Sequence, residues 1–185
     1  YVAYMFRYMN PQYYFINVSL YQGGNSSGWY AAFGVYSAFQ NGTARSTATQ
    51  SVKNQVDTWK NTVNSLSSEA EKVKMIHDLI VQKVDYNTDI YGNSFNEDTA
   101  YTQSVYSVFC MDKTVCAGYA QAFEMMCNGV GVDCIAVTSD DHEWNKVRIN
   151  DSWYNVDCTW ADQSTIDYEY FERSDAVYDA DLASY

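Results

Sequence analysis

The sequence predicts an α+β domain. Three observations carry that reading. Residues 1–39 have the aromatic and β-branched character of strands, residues 52–84 place apolar side chains at helical spacing, and residues 132–157 return to strand character after one further helix. Strand-rich and helix-rich stretches are grouped along the chain, as they are when helices gather on one face of an antiparallel sheet.

Residues 1–6 read as buried structure. The run 12–21 (Gln-Tyr-Tyr-Phe-Ile-Asn-Val-Ser-Leu-Tyr) is a strand, the glycine- and serine-rich stretch 23–28 breaks it, and 29–39 returns, so the two form an antiparallel pair joined by a loop. Asn41-Gly42 closes this part. Val52, Val56, Trp59, Val63 and Leu66 then form one helical stripe. Ser68 and Glu71 make a capping box for a second helix with Val73, Ile76, Leu79, Ile80 and Val84 on its apolar face. His77 sits beside that face and reads as a surface or core-edge residue.

Residues 85–99 are polar and read as a loop, and 101–109 admit a short helix leading to the turn before Cys116. The helix begun there runs to about Cys127, with Asn128-Gly129 as its stop. Residues 132–138 form a strand ended by Ser139-Asp140-Asp141. Residues 143–149 and 153–157 form a hairpin across Asn150-Asp151-Ser152. From Asp162 onward the chain is acidic and tyrosine-bearing, with residues 168–171 its one strongly apolar run. No internal repeat or domain boundary is visible, so residues 1–185 read as a single domain. The start on Tyr1 rather than methionine leads us to expect a piece of a longer protein, with other domains of that chain as candidate partners.

A net charge of −12 argues against nucleic acid and against an anionic membrane surface as partners. The longest apolar stretch, 28–39, is far short of the about 20 residues of a membrane span, so no membrane insertion is expected. Eighteen tyrosines, abundant Asn and Ser and few lysines lean towards an extracellular or cell-surface location. The five cysteines leave at least one thiol unpaired; Cys127 and Cys134, flanking a short glycine-containing loop, are the first pair expected if a disulfide forms. No cysteine pair has zinc-knuckle spacing and the chain has only two histidines, so no metal is expected; nor is a sequence element for binding a thioester cofactor visible, and no cofactor is expected.

Chemistry concentrates on three residues. Cys116 stands where a small-residue turn enters a helix, and unpaired N–H groups and the helix dipole there favour a thiolate. His142 opens one strand of the predicted hairpin and Asp157 lies near the end of its partner, which puts them on neighbouring or diagonal positions of one face. A carboxylate beside an imidazole fixes its tautomer and stabilises the imidazolium, so the three suit a thiolate–imidazolium pair oriented by an acid. Cys158 follows Asp157 and is expected on the opposite sheet face, in the core. Cys110, Cys127 and Cys134 have no base beside them and read as small buried hydrophobes.

The blocks Cys116-Ala117-Gly118-Tyr119-Ala120, His142-Glu143-Trp144-Asn145 and Trp153-Tyr154-Asn155-Val156-Asp157-Cys158-Thr159-Trp160 resemble, in order, the motifs of the transglutaminase-like superfamily, in its bacterial cysteine-protease-like branch. The resemblance runs from about Thr99 to Phe171, and extends to Ile76-His77-Asp78 and to residues 10–15. It implies a papain-like fold, with the nucleophile helix packed on an antiparallel sheet, and roles of nucleophile for Cys116, base for His142 and orienting acid for Asp157. Two positions depart from the family pattern. Glu143 replaces a small residue and puts an extra carboxylate beside the histidine; Met111-Asp112-Lys113 precede Cys116 where a glycine is common. The Cys116 N–H is the natural first oxyanion donor. Tyr101, where related bacterial proteins often carry a tyrosine, is the candidate for the second, or a packing residue. Tyr119, Trp144 and Trp160 are candidates for the substrate groove, the two tryptophans alternatively for the core.

The resemblance implies acyl transfer through a Cys116 thioester on peptide or glutamine-type amides of a peptide or protein substrate. Resolution by water makes the protein a peptidase or amidase, the reading the resemblance favours; resolution by an amine makes it a transglutaminase. A non-catalytic cell-surface binding or scaffold module is the reading from another class.

Overall fold

The computed structural model describes residues 2–88 and 100–182. Residues 2–8, expected as part of a strand region, form a short helix, α1 (Val2–Tyr8), which buries Ala3 and Arg7 one turn apart. Phe6 on this helix stacks on Tyr13 and Phe33, with ring centroids 5.7 and 4.6 Å away. The antiparallel pair is present as β1 (Ile16–Asn25) and β2 (Gly28–Val35), but its loop is shorter than expected. Gly23 and Gly24 stay in the ladder opposite Tyr30 and Trp29, whose rings lie across them where a Cβ would otherwise stand. Only Ser26 and Ser27 form the turn, tied by the Ser27 N–H donating to Asn25 Oδ1.

Two capped helices follow. In α2 (Gly42–Val63), Asn41 accepts from the N–H groups of Thr43 and Ala44, and Ala48, Val52, Val56, Trp59 and Val63 form the buried stripe; Leu66 falls beyond the helix end. The helix α3 (Glu69–Val81) begins at the Ser68–Glu71 capping box and buries Val73, Ile76, Ile80 and Val81. His77, read as a surface or core-edge residue, is fully buried on this helix. Its Nδ1 lies 3.0 Å from Asp78 Oδ1, its ring packs on Phe171 and Tyr168, and burial lowers its pKa.

The predicted loop after α3 begins instead with a two-residue strand, β3 (Asp85–Tyr86); residues 89–99 lie outside the described residues. A single-turn 3₁₀ segment at Ala100–Gln103 and α4 (Val105–Cys110) lead to β4 (Lys113–Thr114), which pairs in parallel with β3. The helix α5 (Cys116–Gly129) starts two residues after β4 and packs on a three-stranded antiparallel sheet of β5 (Cys134–Thr138), β6 (Glu143–Ile149) and β7 (Ser152–Val156), with β6 in the centre. The amide of Asn128, at the end of α5, holds both the N–H and the C=O of Cys134 at 3.0 Å, joining helix to sheet. β6 and β7 meet through a two-residue turn in which Asn150 and Asp151 both have positive φ, 48° and 65°, as a hairpin twisted with its strands requires.

After β7 the chain forms α6 (Cys158–Ala161) and, in the tail that the sequence left without structure, α7 (Asp175–Leu182). Cys158 is therefore the first residue of a helix rather than a strand residue, although it is buried as expected. All five cysteines are free. Cys127 and Cys134 are neighbours in the core rather than a disulfide, and burial together with the Cys127 thiol pushes the Cys134 thiol well up. Among the described residues no helix is long and apolar enough to cross a membrane.

The approach to Cys116 depends on one close contact. The hydroxyls of Ser107 and Thr114, both fully buried, bond each other at 2.6 Å and reach the Thr102 carbonyl. Gly118, in the first turn of α5, presses directly on them: a Cβ there would overlap Thr114 Oγ1 and lie 3.0 Å from Ser107 Oγ. The glycine of the Cys-x-Gly motif is thus a packing requirement that sets where α5 begins. Gly118→Ala should cost about 1–3 kcal/mol in urea unfolding and displace Cys116 enough to slow its alkylation.

Candidate active site

Cys116 is the first residue of α5. Its N-cap is Val115, whose side chain offers no hydrogen-bond acceptor, in contrast to Asn41 and Ser68 on α2 and α3. The N–H groups at the start of α5 are therefore not closed by a side chain, and they face the thiol end of the helix with the positive end of its dipole.

His142 immediately precedes β6, and Asp157 immediately follows β7. The register pairs Asn145 with Val156, so the two residues lie diagonally across the open end of the hairpin, as the sequence implied. His142 Nε2 and Asp157 Oδ2 are 2.6 Å apart. With Nε2 donating to the carboxylate, the Cys116 thiol is the other group that acts on the ring. Burial opposes a charge on His142, but the bonds to Asp157 and Cys116 and their charges outweigh it and raise its pKa to about 10. The imidazole also lies parallel to two indoles, Trp160 at 5.0 Å and Trp144 at 5.9 Å, an arrangement that favours its cation.

Asp157 is fully buried and fully bonded. As the N-cap of α6, its Oδ1 accepts from the N–H groups of Thr159 at 2.9 Å and Trp160 at 3.1 Å. Its Oδ2 accepts from His142 and, at 2.8 Å, from the hydroxyl of Tyr178 on α7. Sequence reading missed Tyr178, because nothing in the acidic tail marks it apart from the other tyrosines. It also missed Tyr8 of α1, whose phenol is pushed up by burial and by the nearby charges of Glu143 and Cys116.

The other expected residues divide. Trp160 keeps a partly exposed face beside His142. Trp144 is buried, donates its indole N–H to Asn155 Oδ1 at 3.0 Å, and supports His142 from within. Tyr119 is not a groove residue: it is fully buried, and its hydroxyl bonds Val84 O and Asp162. The Tyr101 ring packs against Phe39 and Tyr106, at centroid distances of 5.7 and 5.9 Å.

Glu143 also differs from expectation. Its side chain shares the face of Asn145, which bonds Ala120 O of α5 at 3.0 Å, and so it points under the helix rather than standing as a free carboxylate beside the imidazole. There it meets Gln121 and Glu124 of α5, with Arg7 of α1 as the nearby positive charge. Gln121 lies close to Glu143 but without hydrogen-bond geometry at either amide atom. Burial raises Glu143 to about 8 and Glu124 to about 7, so both are largely protonated at neutral pH or just below it.

A helix-borne cysteine facing a histidine and an aspartate at the open end of an antiparallel hairpin, on a mixed helix and sheet fold, defines a papain-like domain of the transglutaminase type. Residues 57–158 match the Transglutaminase-like superfamily, more than half of the chain, and the chain belongs to that superfamily. Among known proteins, it is 29% identical over 110 residues to the Kyphoscoliosis peptidase of Mus musculus, and likewise to that of Homo sapiens; in each case the match covers 51% of this chain and 16% of the relative. A crystal structure described as a TGase superposes with a TM-score of 0.55 at 13% identity, covering 86% of this chain and 48% of that one. The chain thus matches about half of the solved relative and a small part of the curated ones.

The two buried carboxyls make stability depend on pH. Folding raises their proton affinity above the unfolded value of about 4.5, so the folded state holds more protons than the unfolded chain up to about pH 8. Their contribution is complete below that window and is lost as pH rises through it. Glu143→Gln should flatten this slope, leaving the variant more stable than the parent at mildly alkaline pH by on the order of 1–3 kcal/mol in urea unfolding followed across pH.

Proposed function

We propose that this domain is a cysteine-nucleophile acyl-transfer enzyme that hydrolyses peptide or glutamine-type amides, with Cys116 as nucleophile, His142 as base and acid, and Asp157 as the orienting acid. The observation that carries the reading is His142 bonded to the buried Asp157 and raised in pKa by the thiol at the head of α5 beside it. Thiolate is the reactive form of cysteine, and an imidazolium beside it is the partner that form needs.

In the first half-reaction the thiolate attacks the amide carbonyl. Negative charge gathers on the carbonyl oxygen, and the Cys116 N–H, at a helix position without an intrahelical acceptor, is aimed to receive it. His142 passes its proton to the departing amine, the C–N bond breaks, and a thioester remains. His142, now neutral, takes a proton from water as the water oxygen attacks the thioester, and the sulfur leaves as thiolate. Asp157 holds the ring in one tautomer throughout. The name of the mammalian relatives, peptidase, supports water as the acceptor.

Cys116→Ala should abolish turnover, and Asp157→Asn should lower kcat by about a hundredfold or more. Alkylation of Cys116 at mildly acidic pH should fall by about a hundredfold in His142→Ala, read by mass spectrometry of the modified peptide. An alkylation rate that ignores His142 would sink the enzymatic reading and favour a binding module. Incubation with a glutamine-containing peptide and a labelled primary amine separates the two acyl acceptors: release of the free acid is expected, and label incorporation exceeding hydrolysis would instead make the protein a transglutaminase.

A further inference from the structure

We propose that Tyr178 is a positioning residue of this site: its hydroxyl, delivered by α7, fixes the Asp157 carboxylate and shares the negative charge that His142 faces. The inference rests on the assignment of Cys116, His142 and Asp157 above, and it adds a residue outside the span 57–158 that this chain shares with its superfamily.

An ionised carboxylate only accepts hydrogen bonds, so at 2.8 Å the Tyr178 hydroxyl is the donor. The Thr159 and Trp160 N–H groups already hold Oδ1, and Tyr178 holds Oδ2. Both oxygens are therefore pinned without any help from His142, and the carboxylate keeps its orientation when the imidazole changes protonation or moves towards a substrate. The second donor on Oδ2 also tempers the pull of Asp157 on the imidazolium, which must release its proton to the leaving amine.

The tyrosine ring is itself held in place. It is fully buried and stacks on Trp144 at 5.2 Å and Trp160 at 5.9 Å, the same two indoles that flank His142. Burial and the Asp157 charge both raise its pKa, so it stays protonated and donating. The helix that carries it is anchored separately, by Asp175 bonded to Lys146 at 2.7 Å and to the Asn155 amide at 2.9 Å. Loss of the hydroxyl alone thus leaves the ring stack and the anchor intact.

The test follows the His142 ring by NMR titration in the resting protein, its signal identified by its disappearance in His142→Gln. In Tyr178→Phe, Asp157 gives all of Oδ2 to the imidazolium, and the His142 midpoint should move up by about half a pH unit. A difluorotyrosine installed at position 178, a stronger donor, should move it down. Hydrolysis by Tyr178→Phe should lose kcat with KM unchanged, because the residue does not touch substrate. A His142 midpoint that stays put or falls in Tyr178→Phe overturns the proposal, even if the variant melts earlier. Should that variant fail to fold, an unmoved midpoint with difluorotyrosine overturns it equally. None of these titrations needs turnover, so their failure is separable from a failure of the acyl-transfer reading, which shows instead as His142-independent alkylation of Cys116.

Discussion

The structure of this site depends on how one buried negative charge is satisfied. Asp157 has no contact with solvent, and an ionised carboxylate there is sustainable only where hydrogen-bond donors replace water. It finds four, from three parts of the chain: the imidazole at the head of β6, two amides opening α6, and the phenol of α7. Each donor fixes something further. The amides turn the chain out of β7 into a helix, the phenol brings the C-terminal helix back over the sheet, and the imidazole is held parallel to two indoles beside Cys116. The negative charge organises the tail around the hairpin as much as it orients the base.

A second constraint operates on the other side of α5. The helix must come close to the knot of Ser107 and Thr114, which only a glycine at 118 permits, and it must rest on a strand that carries Glu143 and Asn145. The two contacts differ in kind. The first is tight, local and fully bonded; the second is a buried polar layer in which Glu143, Glu124 and Gln121 keep side-chain atoms without partners in the protein. The protonation of that layer, unlike that of the hydroxyl knot, changes as pH passes through about 7 to 8.

Much of this was legible in the sequence because it is coded locally. Helical stripes, the Ser68–Glu71 box and the Asn-Asp turn each follow from residues a few positions apart, the diagonal placement of His142 and Asp157 follows from that turn, and each is present. What was not legible depends on long-range packing. Residues 2–8 have strand-like composition, yet they coil because Ala3 and Arg7 can then be buried together. Glycines 23 and 24 look like a break but stay paired because rings from the opposite strand cover them. Tyr119 bears a motif position and is nonetheless a core residue, its hydroxyl bonded to the Val84 carbonyl. Tyr178 is one of eighteen tyrosines, and only the folded tail distinguishes it.

The spacing of these bonds along the chain bears on the order in which the molecule assembles. His142 and Asp157 are fifteen residues apart and joined by a tight turn, and Tyr178 reaches Asp157 across twenty-one. Arg7, in contrast, bonds the carbonyl of Gln103 across ninety-six residues, and Lys74 meets Tyr168 across ninety-four. Short loops close with less entropy loss than long ones. The charged centre of His142, Asp157 and Tyr178 thus closes through short loops, whereas the amino-terminal helix is joined to the rest of the domain across a long one.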